Sequence, residues 1–166
     1  MLPIVVVDDS PGDLILAERV LRQCKILNPI HPINGGNGCI AWFEGVSPYE
    51  RRTLPCLVLL DLVMPTPGAE VLKYLQEKGL ATTSILVMLS GLQDLKAIHQ
   101  GYQFGARTFL IKPINEEDVL QMLSALKGVN IAQNKEGYVV SLDGELPSRQ
   151  NLMSDPAETL SEKARP

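Results

Sequence analysis

Four continuous aliphatic runs, each ending at a polar or charged residue, limit the folds open to this chain. The runs cover residues 3–7, 57–60, 85–89 and 108–111. An uninterrupted aliphatic run of this length is typical of a strand that is buried on both faces, as in a parallel sheet. A weaker fifth run covers residues 30–33, and Pro32 within it favours a strand at the edge of the sheet.

Helical patterns occupy the segments between these runs. The first begins after Ser10, a good capping residue, with Pro11 at its first position and apolar residues at helical spacing up to Leu21. The other predicted helices cover residues 37–44, 69–78, 94–104 and 115–127. This alternation predicts an α/β fold, namely a flavodoxin-like, doubly wound, five-stranded parallel sheet of order 2-1-3-4-5 with five helices.

The character of the sequence changes after Gly128, so we divide the chain into a domain over residues 1–128 and a C-terminal extension over residues 129–166. Within the extension, residues 138–142 followed by Asp143-Gly144 predict a short strand and a turn. We expect residues 129–145 to pack against the domain or a second copy of it, because this segment is too apolar for a free tail. Residues 148–166 are polar and predict a loosely held tail.

Composition excludes several classes of function. The formal net charge of −4 gives no basic surface for nucleic acid or for anionic membranes.

The three cysteines, Cys24, Cys39 and Cys56, are widely spaced and suggest reduced thiols in the cytoplasm. We also expect no signal peptide and no membrane span, because the first apolar run is short and ends in acid. The glycine-rich residues 34–38 lack the spacing of a phosphate-binding loop and are interpreted as a loop.

Five polar residues stand at the carboxyl ends of the predicted strands. They are Asp8, Asp9, Asp61, Ser90 and Lys112. Taken singly, each has a structural explanation as a helix cap, a turn residue or an exposed strand end. In an open α/β sheet, however, these ends meet at the edge where ligands bind, and the conjunction of all of them favours a functional site.

Three neighbouring carboxylates repel one another unless a hard cation lies between them. Mg²⁺ prefers few carboxylates together with phosphate oxygens and water, so the pattern points to a phosphoryl group. One carboxylate can then act as a nucleophile and become an acyl phosphate. The cation and Lys112 would spread the charge of the transferring group, and Ser90 would donate a hydrogen bond to it.

The sequence resembles the receiver domains of bacterial two-component systems over about residues 2–127. The matching segments are VVVDDS (5–10), LDLVMP (60–65), LSG (89–91), GYQFGA (101–106) and FLIKP (109–113). The resemblance implies a stand-alone response regulator rather than an enzyme. Its partners would be a sensor histidine kinase or phosphotransfer protein and an output protein, with a homodimer left open.

The resemblance also implies a role for each matching residue. Asp61 would be the phosphoacceptor, and Lys112 would pair with a phosphoryl oxygen. Asp9 would bind Mg²⁺ directly and Asp8 largely through water, with Asp61 and the backbone carbonyl of Val63 as further ligands. Ser90 would move toward the phosphoryl group, and Phe109 would turn inward with it. The Lys112–Pro113 bond would be cis.

The segment after Asp61 departs from the family pattern. Receivers usually carry Asp-Gly after the Met-Pro turn, whereas residues 64–70 read MPTPGAE and lack that aspartate. Kinase choice or phosphoryl lifetime is therefore in question. Two alternatives remain: a haloacid-dehalogenase-type aspartyl-phosphate phosphatase, and a pseudo-receiver that only scaffolds a partner. The phosphatase would place its nucleophile in a DxD motif after the first strand, where this chain has adjacent Asp8-Asp9.

Overall fold

The computed structural model describes residues 1–91 and 93–144. Strands and helices alternate up to residue 125, and two further strands follow. The strands are β1 Ile4–Asp8, β2 Ile30–Asn34, β3 Leu57–Asp61, β4 Ile85–Ser90, β5 Thr108–Ile111, β6 Val129–Gln133 and β7 Tyr138–Leu142. The helices are α1 Pro11–Gln23, α2 Gly35–Glu44, α3 Gly68–Glu77, α4 Leu95–Gln103 and α5 Glu116–Ala125.

The first five strands form one parallel sheet in the order β2-β1-β3-β4-β5, which confirms the predicted topology. Side chains alternate between its two faces, so Ile4 and Val6 pack against α1 and α5, whereas Val5 and Val7 pack against α2 and α3. Every residue of β1, β3 and β4 is buried, because helices cover both faces. This double cover explains the continuous aliphatic runs.

The glycine-rich segment at residues 34–38 is not a loop, and the prediction there is wrong. Helix α2 begins at Gly35, two residues before the predicted start. A Cβ atom on Gly36 would lie 2.7 Å from Cγ2 of Val71 in α3, and one on Gly38 would lie 2.7 Å from Cγ2 of Ile33. Glycine therefore allows α2 to pack closely, and this contact outweighs the low helix propensity of glycine.

The last two strands form an antiparallel hairpin that packs on the domain. Strand β7 was predicted, whereas β6 was not. The Tyr138 N–H donates to the carbonyl of Lys25 at 2.8 Å, and the Leu27 N–H donates to the carbonyl of Tyr138 at 2.9 Å. Val140 is fully buried in the core cluster that lies under α1 and α5. The division at residue 128 stays a prediction, and the predicted tail at residues 148–166 lies outside the described residues.

The three cysteines are free thiols in the core. Burial raises the pKa of Cys24 to about 11 and that of Cys39 to about 12, which keeps both thiols protonated and unreactive. Within residues 1–91 and 93–144, none of the helices has the length and apolar composition needed to cross a bilayer.

Candidate functional site

The parallel register brings the predicted site residues to one edge of the sheet. Asp8 ends β1, Asp61 ends β3 and Ser90 ends β4, while Lys112 follows β5. Asp61 pairs with Leu89 across β3 and β4, and Ser90 pairs with Ile111 across β4 and β5. The carboxyl ends of these strands therefore lie at the same level. Asp8, Asp61 and Ser90 are buried, which takes three polar side chains out of water.

Asp8, Asp9 and Asp61 form a compact carboxylate cluster. Each offers a carboxylate oxygen, and these oxygens all lie within 4.8 Å of one another. The Ser10 N–H donates to Oδ1 of Asp8 at 2.9 Å, and the Val63 N–H donates to Oδ1 of Asp61 at 3.2 Å. These bonds hold the two buried carboxylates in place. An all-oxygen donor set with one exposed member fits a hard divalent cation that keeps several water ligands.

Lys112 is the cation that faces this cluster. Its Nζ lies 2.8 Å from Oδ2 of Asp8, 2.9 Å from Oδ2 of Asp13 and 3.5 Å from Oδ2 of Asp61. Burial lowers the pKa of Lys112, but the hydrogen bonds to Asp8 and Asp13 and the charges of Asp61 and Asp8 outweigh it. The resulting pKa lies above its usual range, so the ammonium stays charged. The Lys112–Pro113 bond is cis, as predicted.

The surroundings favour the charged form of Lys112 but disfavour the charged form of Asp61. Burial raises its pKa, the Val63 N–H lowers it in part, and the charge of Asp8 raises it again. The charge and hydrogen bond of Lys112 lower it, yet the balance remains a pKa above the usual value. When ionised, the three carboxylates of the cluster carry more negative charge than the single ammonium of Lys112 can neutralise, and a bound cation would relieve this imbalance.

Ser90 ends β4, the strand next to that of Asp61, and Phe109 lies in β5, where it pairs with Met88 of β4. The Ser90 hydroxyl donates to the carbonyl of Gly91 at 3.0 Å and lies 3.3 Å from Oδ2 of Asp94. Phe109 is half-buried, and its ring forms a T-shaped pair with the ring of Tyr102, with centroids 6.4 Å apart. Ser90 is thus held toward the start of α4, and the coupled movement predicted for Ser90 and Phe109 stays a prediction.

Two acids near the site were not predicted as functional. Asp13, in the first turn of α1, contacts Lys112. Asp94, interpreted as the start of α4, accepts hydrogen bonds from the Gly91 N–H at 3.2 Å and from Ser90. Their positions in sequence could have indicated a role, because each follows within a few residues of a strand that ends in a predicted site residue. The sequence does not give the side-chain direction, so it could not identify their partners.

Comparison with known proteins identifies relatives along most of the chain. A sequence model of the response regulator receiver domain matches residues 4–124. Response regulator Rcp1 of Synechocystis sp. is 26% identical over 125 residues, which cover 75% of this chain and 85% of Rcp1. Protein PilH of Pseudomonas aeruginosa is 30% identical over 128 residues, which cover 76% of this chain and 98% of PilH.

Solved structures agree with these sequence matches. The bacteriophytochrome response regulator AtBRR superposes with a TM-score of 0.73 at 27% identity, over 82% of this chain and 99% of AtBRR. The Mn²⁺-bound form of Rcp1 superposes with a TM-score of 0.65 at 25% identity, over 80% of this chain and all of Rcp1. Both are response regulators, and the second carries a divalent metal ion.

Proposed function

Since this chain belongs to the response regulator receiver family, we propose that it is a phosphorylation switch whose phosphoacceptor is Asp61. The observation that carries the proposal is the position of the Lys112 ammonium, which lies within hydrogen-bonding or ion-pair distance of Asp8 and Asp61 in the carboxylate cluster. A buried carboxylate beside a fixed ammonium and two further acids supplies a nucleophile, a cation and metal ligands within one small volume.

The transfer step follows from these groups. A carboxylate oxygen of Asp61 forms a bond to the phosphorus of a phosphohistidine while the phosphorus–nitrogen bond breaks, and the imidazole keeps the electron pair and takes up a proton. Lys112 donates hydrogen bonds to the phosphoryl oxygens. Asp8, Asp9, Asp61 and the carbonyl of Val63 would hold Mg²⁺, which when bound neutralises charge on the transferring group. The Mn²⁺-bound form of Rcp1 supports a divalent metal ion here.

The phosphoryl group acts through protein contacts in this proposal. Ser90 turns toward the new oxygens, Phe109 moves inward, and the surface around α4, β5 and α5 changes for an output protein. A sensor histidine kinase or phosphotransfer protein supplies the phosphoryl group. The likeness to AtBRR makes a bacteriophytochrome kinase the first donor to assay. A cytoplasmic location and a homodimer stay predictions.

Phosphorylation of the full chain tests the proposal against both alternatives. The protein is incubated with acetyl phosphate and Mg²⁺ and its intact mass is measured. We expect a mass gain of one phosphoryl group that is absent in Asp61→Asn and retained in Glu70→Gln, a change at an exposed acid in α3. No mass gain in the unaltered chain with acetyl phosphate or a histidine kinase would indicate a scaffold. Sustained hydrolysis of a phosphomonoester would indicate a phosphatase.

A further inference from the structure

The Lys112 ammonium faces three carboxylates, and its distances to them are unequal. The two short contacts, 2.8 and 2.9 Å, are made to Asp8 and Asp13, and the contact to Asp61 is longer at 3.5 Å. An ammonium has three N–H donors and no acceptor, so each carboxylate that takes a donor withholds it from another. Before phosphorylation, the ammonium therefore lies nearer to an acid of α1 than to the acceptor.

Asp13 differs from the other two acids in position and exposure. It stands in the first turn of α1, its side chain is 43% exposed, and it is not a member of the carboxylate cluster of Asp8, Asp9 and Asp61. The start of α1 is fixed to the site, because the Ser10 N–H bonds to Asp8 and the Ser10 hydroxyl accepts from the Asp13 N–H at 3.4 Å. Asp13 is therefore held where its carboxylate reaches Lys112.

We propose that Asp13 is a positioning residue that holds Lys112 away from Asp61 and so weakens the affinity of the site for a phosphoryl group. The proposal rests on the proposed function, in which Asp61 is the acceptor. When oxygens of a phosphoryl group arrive at Asp61, Lys112 must turn toward them. Asp8 remains beside the ammonium, whereas the Asp13 contact is given up. The Asp13–Lys112 pair thus competes with the phosphoryl group for one cation.

Beryllofluoride, which mimics a phosphoryl group on aspartate, provides the test. The full chain is titrated with beryllofluoride in the presence of Mg²⁺, and binding is followed by fluorine NMR. We expect Asp13→Asn to lower the half-saturating concentration roughly twofold to fivefold, the range for a partly exposed ion pair. Asp13→Glu, which restores the charge, should return the affinity toward that of the unaltered chain.

Glu18→Gln is the matched control, because it removes the same charge from the same helix. Glu18 is absent from the ion pairs that Lys112 makes within the described residues. It lies five residues further along α1, on a different side of the helix from Asp13. We expect its half-saturating concentration to equal that of the unaltered chain.

A double-mutant cycle separates positioning from a general charge effect. In a Lys112→Ala background, Asp13→Asn should produce no further change in beryllofluoride affinity. The same fold-change in both backgrounds, or no change in the single Asp13→Asn variant, overturns the proposal while leaving Asp61 as the acceptor. Failure of the unaltered chain to bind beryllofluoride, or equal binding by Asp61→Asn, would instead overturn the proposed function and this proposal together.

Discussion

Asp61 occupies a position that is unfavourable for a carboxylate and useful for a nucleophile. Its side chain is buried, Asp8 lies beside it, and its pKa is raised mainly by the loss of water. The Val63 N–H and Lys112 offset part of this cost. The folded state therefore carries an electrostatic penalty at this residue, which a metal ion or a phosphoryl group with its cation would reduce.

A pH dependence of stability follows from the raised pKa of Asp61. Because the folded-state pKa lies above the unfolded value of about 3.9, the ionised carboxylate destabilises the folded protein at neutral pH. That penalty shrinks as the pH falls through the folded-state pKa and is absent below the unfolded value. We expect Asp61→Asn to raise the melting temperature by a few degrees at pH 7 without divalent cations, and by progressively less in acid.

Paired thermal melts of the unaltered chain and Asp61→Asn, recorded by circular dichroism from neutral pH downward, measure this difference. Glu70→Gln is the control, because Glu70 is exposed in α3 and should give no such trend. A melting-temperature difference that is absent at pH 7, or that grows as the pH falls, would contradict the assignment of an electrostatic penalty to Asp61.

At the scale of the element, the segment that joins β3 to α3 closes tightly beneath the acceptor. Gly68 is the first residue of α3, and its N–H donates to the carbonyl of Leu62 at 3.1 Å. A Cβ atom on Gly68 would collide with the carbonyl of Asp61 and would lie 2.8 Å from Cα of Leu62. Glycine is required at residue 68 because the backbone of α3 approaches the backbone of β3 too closely for a side chain. This tight turn lies in the same segment, residues 64–70, that lacks the aspartate usual in receivers.

We expect Gly68→Ala to cost about 1–3 kcal/mol of folding free energy, because the extra methyl group forces the backbone of β3 and α3 apart. The movement displaces Asp61, so phosphorylation by acetyl phosphate should also slow. Urea unfolding and the rate of mass gain measure the two effects. Gly12→Ala is the control, since the nearest atom to a Cβ there is Oγ of Ser10 at 3.9 Å. Equal stability of the two variants would show that the turn is not tightly closed.

The strands and the site edge could be predicted from sequence because their signals are local. An aliphatic run such as residues 57–60 needs cover on both faces, and the polar residue that ends it must lie at the carboxyl edge. The start of α2 could not be predicted, because close packing of Gly36 on Val71 decides it. Strand β6 is mostly exposed and is defined by pairing with β7. The Asp13–Lys112 contact depends on side-chain direction, which no spacing encodes.

At the scale of the whole molecule, the two ends of the parallel sheet have different roles: one holds the candidate site and the other anchors the C-terminal hairpin. The carboxyl ends hold the carboxylate cluster and Lys112, whereas the hairpin of β6 and β7 packs near the amino ends of β1 and β3. Asn28 makes this connection, although it is fully buried. Its Nδ2 donates to the carbonyls of Leu2 at 2.8 Å and Val140 at 2.7 Å, and its Oδ1 accepts from the Val140 N–H at 2.8 Å.

This arrangement predicts that the hairpin can be loosened without altering the chemistry at the opposite edge. Asn28→Ala leaves the N–H and carbonyl of Val140 and the carbonyl of Leu2 without these partners, so we expect a loss of roughly 2–4 kcal/mol in the free energy of unfolding. Asn130→Ala, at an exposed position of β6, should change stability by less than about 0.5 kcal/mol. Urea unfolding measures both values.

The extent of phosphorylation is the second measurement on these variants, made with acetyl phosphate and Mg²⁺ well below the melting temperature. Asn28→Ala should match the unaltered chain, because Asn28 and the carboxylate cluster lie at opposite ends of β1. The intervening residues of that strand are buried and paired with both β2 and β3. If the variant is as stable as the unaltered chain, Asn28 does not anchor the hairpin. If it is folded but its phosphorylation falls, the hairpin and the acceptor are energetically coupled, and the separation of tasks between the two ends is wrong.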